Sequence, residues 1–167
     1  MKLSEHLTVA DGYLELGMYR DALDVLEEIV PETEHEHFQV IRKRLTIWEA
    51  VGDWAQGART AREAVLTLPN YADLYLKGAY AIRRAESVES ALEFLKSGEH
   101  CCSYTSLWWY YLGCYYCVLG RIDDAKKHVY KAVGFGKRAL QEKDLEPLWD
   151  EFRAARWAEE DEEEGFD

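Results

Sequence analysis

Residues Trp109-Tyr110-Tyr111-Leu112-Gly113-Cys114-Tyr115-Tyr116, followed by Gly120, Ile122, Ala125 and Val129, decide the fold of this chain. Trp109, Leu112, Gly113 and Tyr116 spell W-x2-L-G-x2-Y, and Ala125 opens an A-x3-F-like step that closes on Val129. This order of residues marks two helices joined by a tight turn. A small side chain at the crossing lets the two backbones approach until ridges enter grooves, and a bulky one there costs about 1–3 kcal/mol.

Working outward, the small residue of the second helix recurs as Ala22, Gly57, Ala91 and Ala125, at intervals of 35, 34 and 34. Gly17, Gly52 and Gly120 fall at one offset before three of these, and Glu86 takes the place of the fourth. Two residues after each turn comes a larger wedge, Tyr19, Trp54, Val88 and Ile122. Ala10, Ala79 and Gly113 occupy one crossing; Leu45 replaces them in the second repeat, and the smaller Gly57 and Ala61 on the facing helix are expected to compensate. Pro69 ends that repeat, because it lacks a backbone donor and steers its predecessor out of helix. The spacing predicts first helices near 3–16, 37–51, 71–84 and 105–119, and second helices near 20–30, 54–67, 88–99 and 122–138. A ninth, near 145–158, places Leu145, Leu148, Trp149, Phe152 and Trp157 mostly on one face and caps the last hairpin. Helices of about 12–16 residues are marginal alone in water, so stacking must supply their stability.

The 34-residue period and the W-x2-L-G-x2-Y signature resemble the tetratricopeptide-repeat (TPR) family over residues 3 to about 158. The resemblance implies an all-α fold, a right-handed α-α superhelix of four hairpins with a capping helix. Repeats would cover approximately 3–36, 38–70, 72–104 and 106–139, the cap 145–158, and an acidic disordered tail 159–167. It also implies a concave face, built from the first helix of each hairpin, that binds an extended peptide or a partner helix. On that face it places Asp11, Leu14 and Glu15, then Arg42, Thr46 and Glu49, then Asp73, Leu76, Lys77, Tyr80, Arg83 and Arg84, and last Leu107, Tyr110, Tyr111, Cys114 and Cys117. The expected groove is acidic first, basic in the middle with Lys43 at its edge, and aromatic with two thiols at its end. Some family members clamp a C-terminal carboxylate with Lys, Asn, Asn, Lys and Arg; the matching positions here hold Arg42, Thr46, Lys77, Leu107 and Tyr111, which does not make that clamp. The segment Asp144-Leu145-Glu146-Pro147-Leu148-Trp149 resembles the end of the array in bacterial members.

With 167 residues and 48% hydrophobic content the chain can build a continuous core. Its formal charge of −12 argues against general nucleic-acid binding, which needs clustered Lys and Arg. The excess is uneven: residues 158–167 hold seven acids and no base, and setting them aside leaves −5. The start Met1-Lys2-Leu3-Ser4-Glu5-His6 is not a secretory signal, and the apolar run Leu107 to Leu119 is shorter than the roughly 20 residues of a membrane span. The expectation is a cytoplasmic protein, with no membrane partner and its four cysteines as thiols.

No phosphate-cradling glycine loop, nucleophile elbow or His-x3-His helix occurs, so the chain reads as no enzyme and no cofactor is expected. Cys114-x2-Cys117 with His100-Cys101-Cys102 superficially suggests zinc. Cys101 and Cys102, however, fall in a loop near the opposite end of the helix that carries Cys114 and Cys117, about 15–20 Å away at 1.5 Å per residue, so no metal is expected. The peptide-binding candidates are therefore Arg42, Lys77, Tyr80, Arg83 and Arg84, whose cations could grip an acidic partner, together with Tyr110, Tyr111, Cys114 and Cys117. Trp109 and Tyr116, as signature residues, should be buried. The reading is a scaffold for a protein or peptide partner. Its alternatives are a dedicated secretion-type chaperone, although the repeats begin at once and leave no room for a dimerisation helix, and a redox-active accessory subunit using the thiols.

Overall fold

The computed structural model describes residues 2–155, which are all-α with no strand among them. They divide into two compact units, Met1–Ser87 and Val88–Asp167. Among them no helix is long and apolar enough to cross a membrane.

The N-terminal unit holds α1 (Leu3–Glu15), α2 (Tyr19–Glu27), α3 (Glu34–Val51), α4 (Trp54–Thr67) and α5 (Ala72–Ala85). α1 packs on α2, α3 on α4, and α5 chiefly on α4. Turn chemistry accounts for the hairpins. Gly17 and Gly52 have φ of +72° and +77°, a left-handed conformation that a side chain disfavours and that stops a helix while satisfying its last carbonyls. The Gly52 and Asp53 amides donate to Glu49 and Trp48 carbonyls at 3.2 and 3.0 Å. Asp53 then caps α4 by accepting the Gln56 amide, and Thr33 caps α3 by accepting that of Glu36, each at 3.1 Å. Glu86, in the position of the missing glycine, ends α5 at φ −130° and ψ −90° instead.

Ala10, Ala22, Leu26, Val40 and Ile47 form a buried cluster in this unit. A Cβ on Gly57 would meet Ala81 Cβ of α5 at 3.2 Å and Trp48 Cβ of α3 at 3.6 Å, so its smallness serves the crossing with α5 as well as the facing helix α3.

The C-terminal unit holds α6 (Val88–Ser97), α7 (Glu99–Cys102), α8 (Ser106–Val118), α9 (Ile122–Val129), α10 (Gly136–Ala139), a 3-10 segment (Lys143–Leu148) and α11 (Trp149–Ala154). α8 and α9 make the hairpin of the opening stretch, turned at Gly120 with φ +73°. α8 is packed on the other side by α6 and by the 3-10 segment. Trp108 is 2% exposed and donates its indole N–H to the Leu95 carbonyl of α6 at 3.0 Å. Trp109, expected in the core, is only partly buried and donates to the Ser103 carbonyl at 2.9 Å. Tyr116 is buried as expected.

Three boundaries differ from the expected ones. α2 ends at Glu27 rather than near 30. The helix expected over 122–138 stops at Val129, because Gly134 and Gly136 flank Phe135 and glycine is among the poorest helix formers; Gly134 turns the chain at φ +83°. The cap begins as a 3-10 segment through Pro147, whose missing N–H spoils an α-helical ladder, and only then becomes α11. Leu145, Leu148 and Phe152 are buried on its inner face as the pattern predicted. Trp157 and the acidic tail lie outside the described residues.

Candidate functional site

The predicted site residues fall in both units, and the structure places each set in its own surroundings. In the N-terminal unit, Arg42 projects from α3 and Lys77, Tyr80, Arg83 and Arg84 from α5. Helix-to-helix ion pairs join these faces. Arg42 Nε lies 2.5 Å from Asp73, Lys77 Nζ lies 3.4 Å from Glu49, and Lys43 pairs with Asp11. The acids that the sequence placed on the same face thus balance its cations, and the expected basic centre is corrected to a ladder of paired charges. Such half-exposed pairs contribute little stability each, at most about 1 kcal/mol, but they fix which residues stand opposite one another.

Arg84 is held differently. Its guanidinium carbon stands 5.0 Å above the Trp54 ring, and Trp54 meets Tyr80 edge-on at 5.5 Å and 83°. Tyr80 and Arg84 are exposed, while Arg83 is partly buried. Three planar groups from α4 and α5 therefore form a small rigid platform. The sequence marked Tyr80 and Arg84 for this face but treated Trp54 only as a turn wedge. Its recurrence two residues past a glycine turn was the signal that placed it beside the next helix.

In the C-terminal unit the expected groove residues are mostly covered. Tyr110, Cys114 and Cys117 are 1%, 3% and 4% exposed, so they are corrected from groove-facing to core residues, and only Tyr111 remains partly accessible. The cause is the early stop of α9. The chain beyond it folds back so that Phe135 stacks on Tyr110 at 4.8 Å and Arg138 sits 5.0 Å over the same ring, while the 3-10 segment packs on α8. Trp149 pins this return with a 2.9 Å hydrogen bond to the Ala139 carbonyl. Tyr111 lies parallel to Tyr115 at 6.2 Å.

Burial favours the protonated form of Cys101, Cys102 and Cys117. It pushes Cys102 well above the ordinary thiol value, with the neighbouring Cys101 adding to the rise, and it raises Cys117, with Asp144 contributing. Thiolate is the reactive form, so these positions give the redox reading no support. Cys101 and Cys102 stand with their sulfurs 3.8 Å apart at the end of α7, while Cys114 and Cys117 belong to α8. Among the described residues no group of three or more His, Cys, Asp or Glu side chains could hold a metal ion.

Tyr110 carries an anomaly. Its hydroxyl is buried and, apart from the weakly accepting or donating Cys114 thiol beside it, finds no hydrogen-bond partner of ordinary geometry among the described residues. Burial first, then the nearby Cys114 and Glu142, push its phenol upward. An unsatisfied buried hydroxyl costs about 1–3 kcal/mol. Tyr110→Phe keeps the stack on Phe135 and removes that cost, so it should raise the urea-unfolding free energy by about 1 kcal/mol. A loss of stability in the same measurement would show that the hydroxyl is satisfied.

No protein-family model matches the chain, and no curated protein matches it. Solved structures do. A MamA structure from Desulfovibrio magneticus RS-1, beginning at residue 41, matches with a TM-score of 0.69 and 15% identity over 96% of this chain and 93% of that one. A second MamA crystal structure matches with a TM-score of 0.65 and 16% identity over 84% of this chain and 82% of that one. A third, MamA MSR-1 C2, gives 0.61 and 13% over 83% and 79%. The shared feature at such identities is the fold: this chain is an all-α helical-repeat protein built like these structures.

Proposed function

We propose that the chain is a non-enzymatic scaffold that binds an extended peptide or a helix of a protein partner on the α3–α5 face of its N-terminal unit. The observation that carries this reading is the platform of Trp54, Tyr80 and Arg84. Tyr, Trp and Arg dominate binding hot spots because they offer large rigid area with a polar edge, and here they are ordered before any partner arrives. Because Arg42, Lys43 and Lys77 are paired within the unit, recognition rests on these planar groups more than on net charge. Fold alone assigns no partner, so it is this platform, and not the likeness to other structures, that supports the reading.

The test is co-purification at native abundance, read by quantitative mass spectrometry, for the natural chain and for the pair Tyr80→Ala with Arg84→Glu. A partner enriched by the natural chain should fall at least about tenfold, as expected when hot-spot residues worth about 2 kcal/mol are removed. Both proteins should melt alike, since the two side chains are exposed. An unchanged set of captured proteins would remove the platform from the reading.

A further inference from the structure

The platform of Trp54, Tyr80 and Arg84 carries hydrogen-bond donors that the chain leaves unused. Among the described residues Arg84 pairs with no carboxylate, and neither the Tyr80 hydroxyl nor the Trp54 indole N–H finds an acceptor. All of them meet solvent. Tyr80 is 38% exposed, Arg84 is exposed, and the Trp54 nitrogen comes to the surface beside the exposed turn residue Gly52. A guanidinium resting on a ring keeps its in-plane N–H donors, a fixed fork, for another acceptor. The acids around it are engaged elsewhere. Glu86, two residues on, accepts two bonds from Arg62 at 2.5 and 2.9 Å, Glu49 faces Lys77 at 3.4 Å, and Asp53 caps α4. Arg42 and Lys43, by contrast, are already balanced by Asp73 and Asp11.

The donor set defines what would complete it. The missing group is an acceptor, it carries negative charge, and it is small enough to lie against rings whose centres are 5.5 Å apart. A backbone or amide carbonyl accepts but brings no charge. A phosphate monoester brings about −1.5 to −2, more than one guanidinium balances. A carboxylate brings a single charge and two coplanar oxygens that match the guanidinium fork, and charge-assisted bonds of this kind are the stronger ones. Because the Trp54 ring already restricts the Arg84 side chain, less of its rotamer freedom is lost when the anion arrives. The exposed face of Tyr80 adds apolar area for a side chain next to the carboxylate.

We propose that the platform selects an Asp or Glu side chain of the partner segment, held on the Arg84 guanidinium and flanked by an apolar residue laid on Tyr80. This rests on the platform being the binding site and names the chemistry that it prefers. The test is an NMR titration of the full chain, read at the Trp54 indole N–H and Arg84 Nε–H signals. The probes are acetyl-Gly-Phe-Glu-Phe-Gly-amide and the same peptide with Gln, or with phosphoserine, in place of Glu. The Glu peptide should bind with a Kd of about 1 mM and about tenfold more tightly than the Gln peptide, the advantage of a charge-assisted pair. Arg84→Lys keeps the charge but loses the fork, and should cut that preference to about twofold; Arg84→Gln should abolish it. Arg84 is exposed, so both variants should melt like the natural chain. Equal affinity for the Glu and Gln peptides, or no movement of either signal up to about 10 mM peptide, would overturn the carboxylate preference. So would a preference that survives Arg84→Gln, or a phosphoserine peptide that binds more tightly than the Glu peptide. The platform itself is judged separately, by capture with the pair Tyr80→Ala and Arg84→Glu. Partners lost there, beside equal peptide affinities here, would keep the site and reject the carboxylate.

Discussion

Gly113→Ala is expected to destabilise the C-terminal unit by about 3 kcal/mol, at the upper end of what one added methyl costs in a packed core. A Cβ built on Gly113 would stand 2.1 Å from Val129 Cγ2, 3.1 Å from the Val129 amide nitrogen and 3.3 Å from the Ala125 carbonyl oxygen. Real carbon contacts need more than 3 Å, so something must move. Val129 is fully buried and cannot swing aside into solvent, and the two other neighbours are backbone of α9. The helix pair itself would have to part, loosening Ala125 and Leu112 as well. Against this stands a gain of about 1 kcal/mol from replacing a helical glycine by alanine, already included in the expected net loss. Urea unfolding followed by circular dichroism measures it. Val129→Ala with Gly113→Ala should recover part of the loss by removing Cγ2, although not all, because the backbone contacts remain. A single Gly113→Ala chain as stable as the natural one would mean that α8 and α9 are not in this contact. Gly57→Ala is the internal contrast: its nearest neighbour would be the Ala81 methyl at 3.2 Å, a much milder conflict.

The second large effect is expected at Trp108. Trp108→Ala should cost about 3–5 kcal/mol, because it empties a fully enclosed indole site and leaves the Leu95 carbonyl without its donor. Trp109→Ala should cost less, about 2 kcal/mol, since Trp109 is only partly buried: it gives up its hydrogen bond to the Ser103 carbonyl and the contacts with Trp108, His128 and the Lys131 ammonium, but no fully enclosed site. The order of the two midpoints in the same urea experiment decides the matter. Trp109 as the costlier residue would restore the ranking that the repeat pattern alone suggests.

That ranking shows where the sequence was legible and where it stopped. The turn glycines could be read because a left-handed backbone admits few other residues, and all of Gly17, Gly52 and Gly120 adopt it. Leu145, Leu148 and Phe152 could be read because helical spacing exposes a face whatever it packs on. A consensus position, however, states which residue type stands at a crossing and not how the chain continues beyond it. The Gly134-Phe135-Gly136 interruption ended α9 early, and the return it permits put Phe135 and Arg138 over Tyr110. No rule of repeat spacing contains that return, so Tyr110, Cys114 and Cys117 were placed in a groove that the chain fills itself. Arg42, Lys43 and Lys77 show the same limit in charge. Their positions were legible, but the acids opposite them come from the adjoining helix, and pairing is a property of two helices rather than of one.

The seam at Ser87–Val88 falls between α5 and α6, just after Glu86, which stands where Gly17, Gly52 and Gly120 stop the other helices. The period expected from the sequence, which breaks at Pro69, and the division in space at Ser87 consequently do not coincide. A fragment cut at Pro69, where the expected period ends, would strip α4 of the helix that packs on it and uncover Gly57 where Ala81 approaches it. One ending at Ser87 would keep that cover. For this chain the natural joint, for cleavage or for exchange of parts, is Ser87–Val88 and not Pro69.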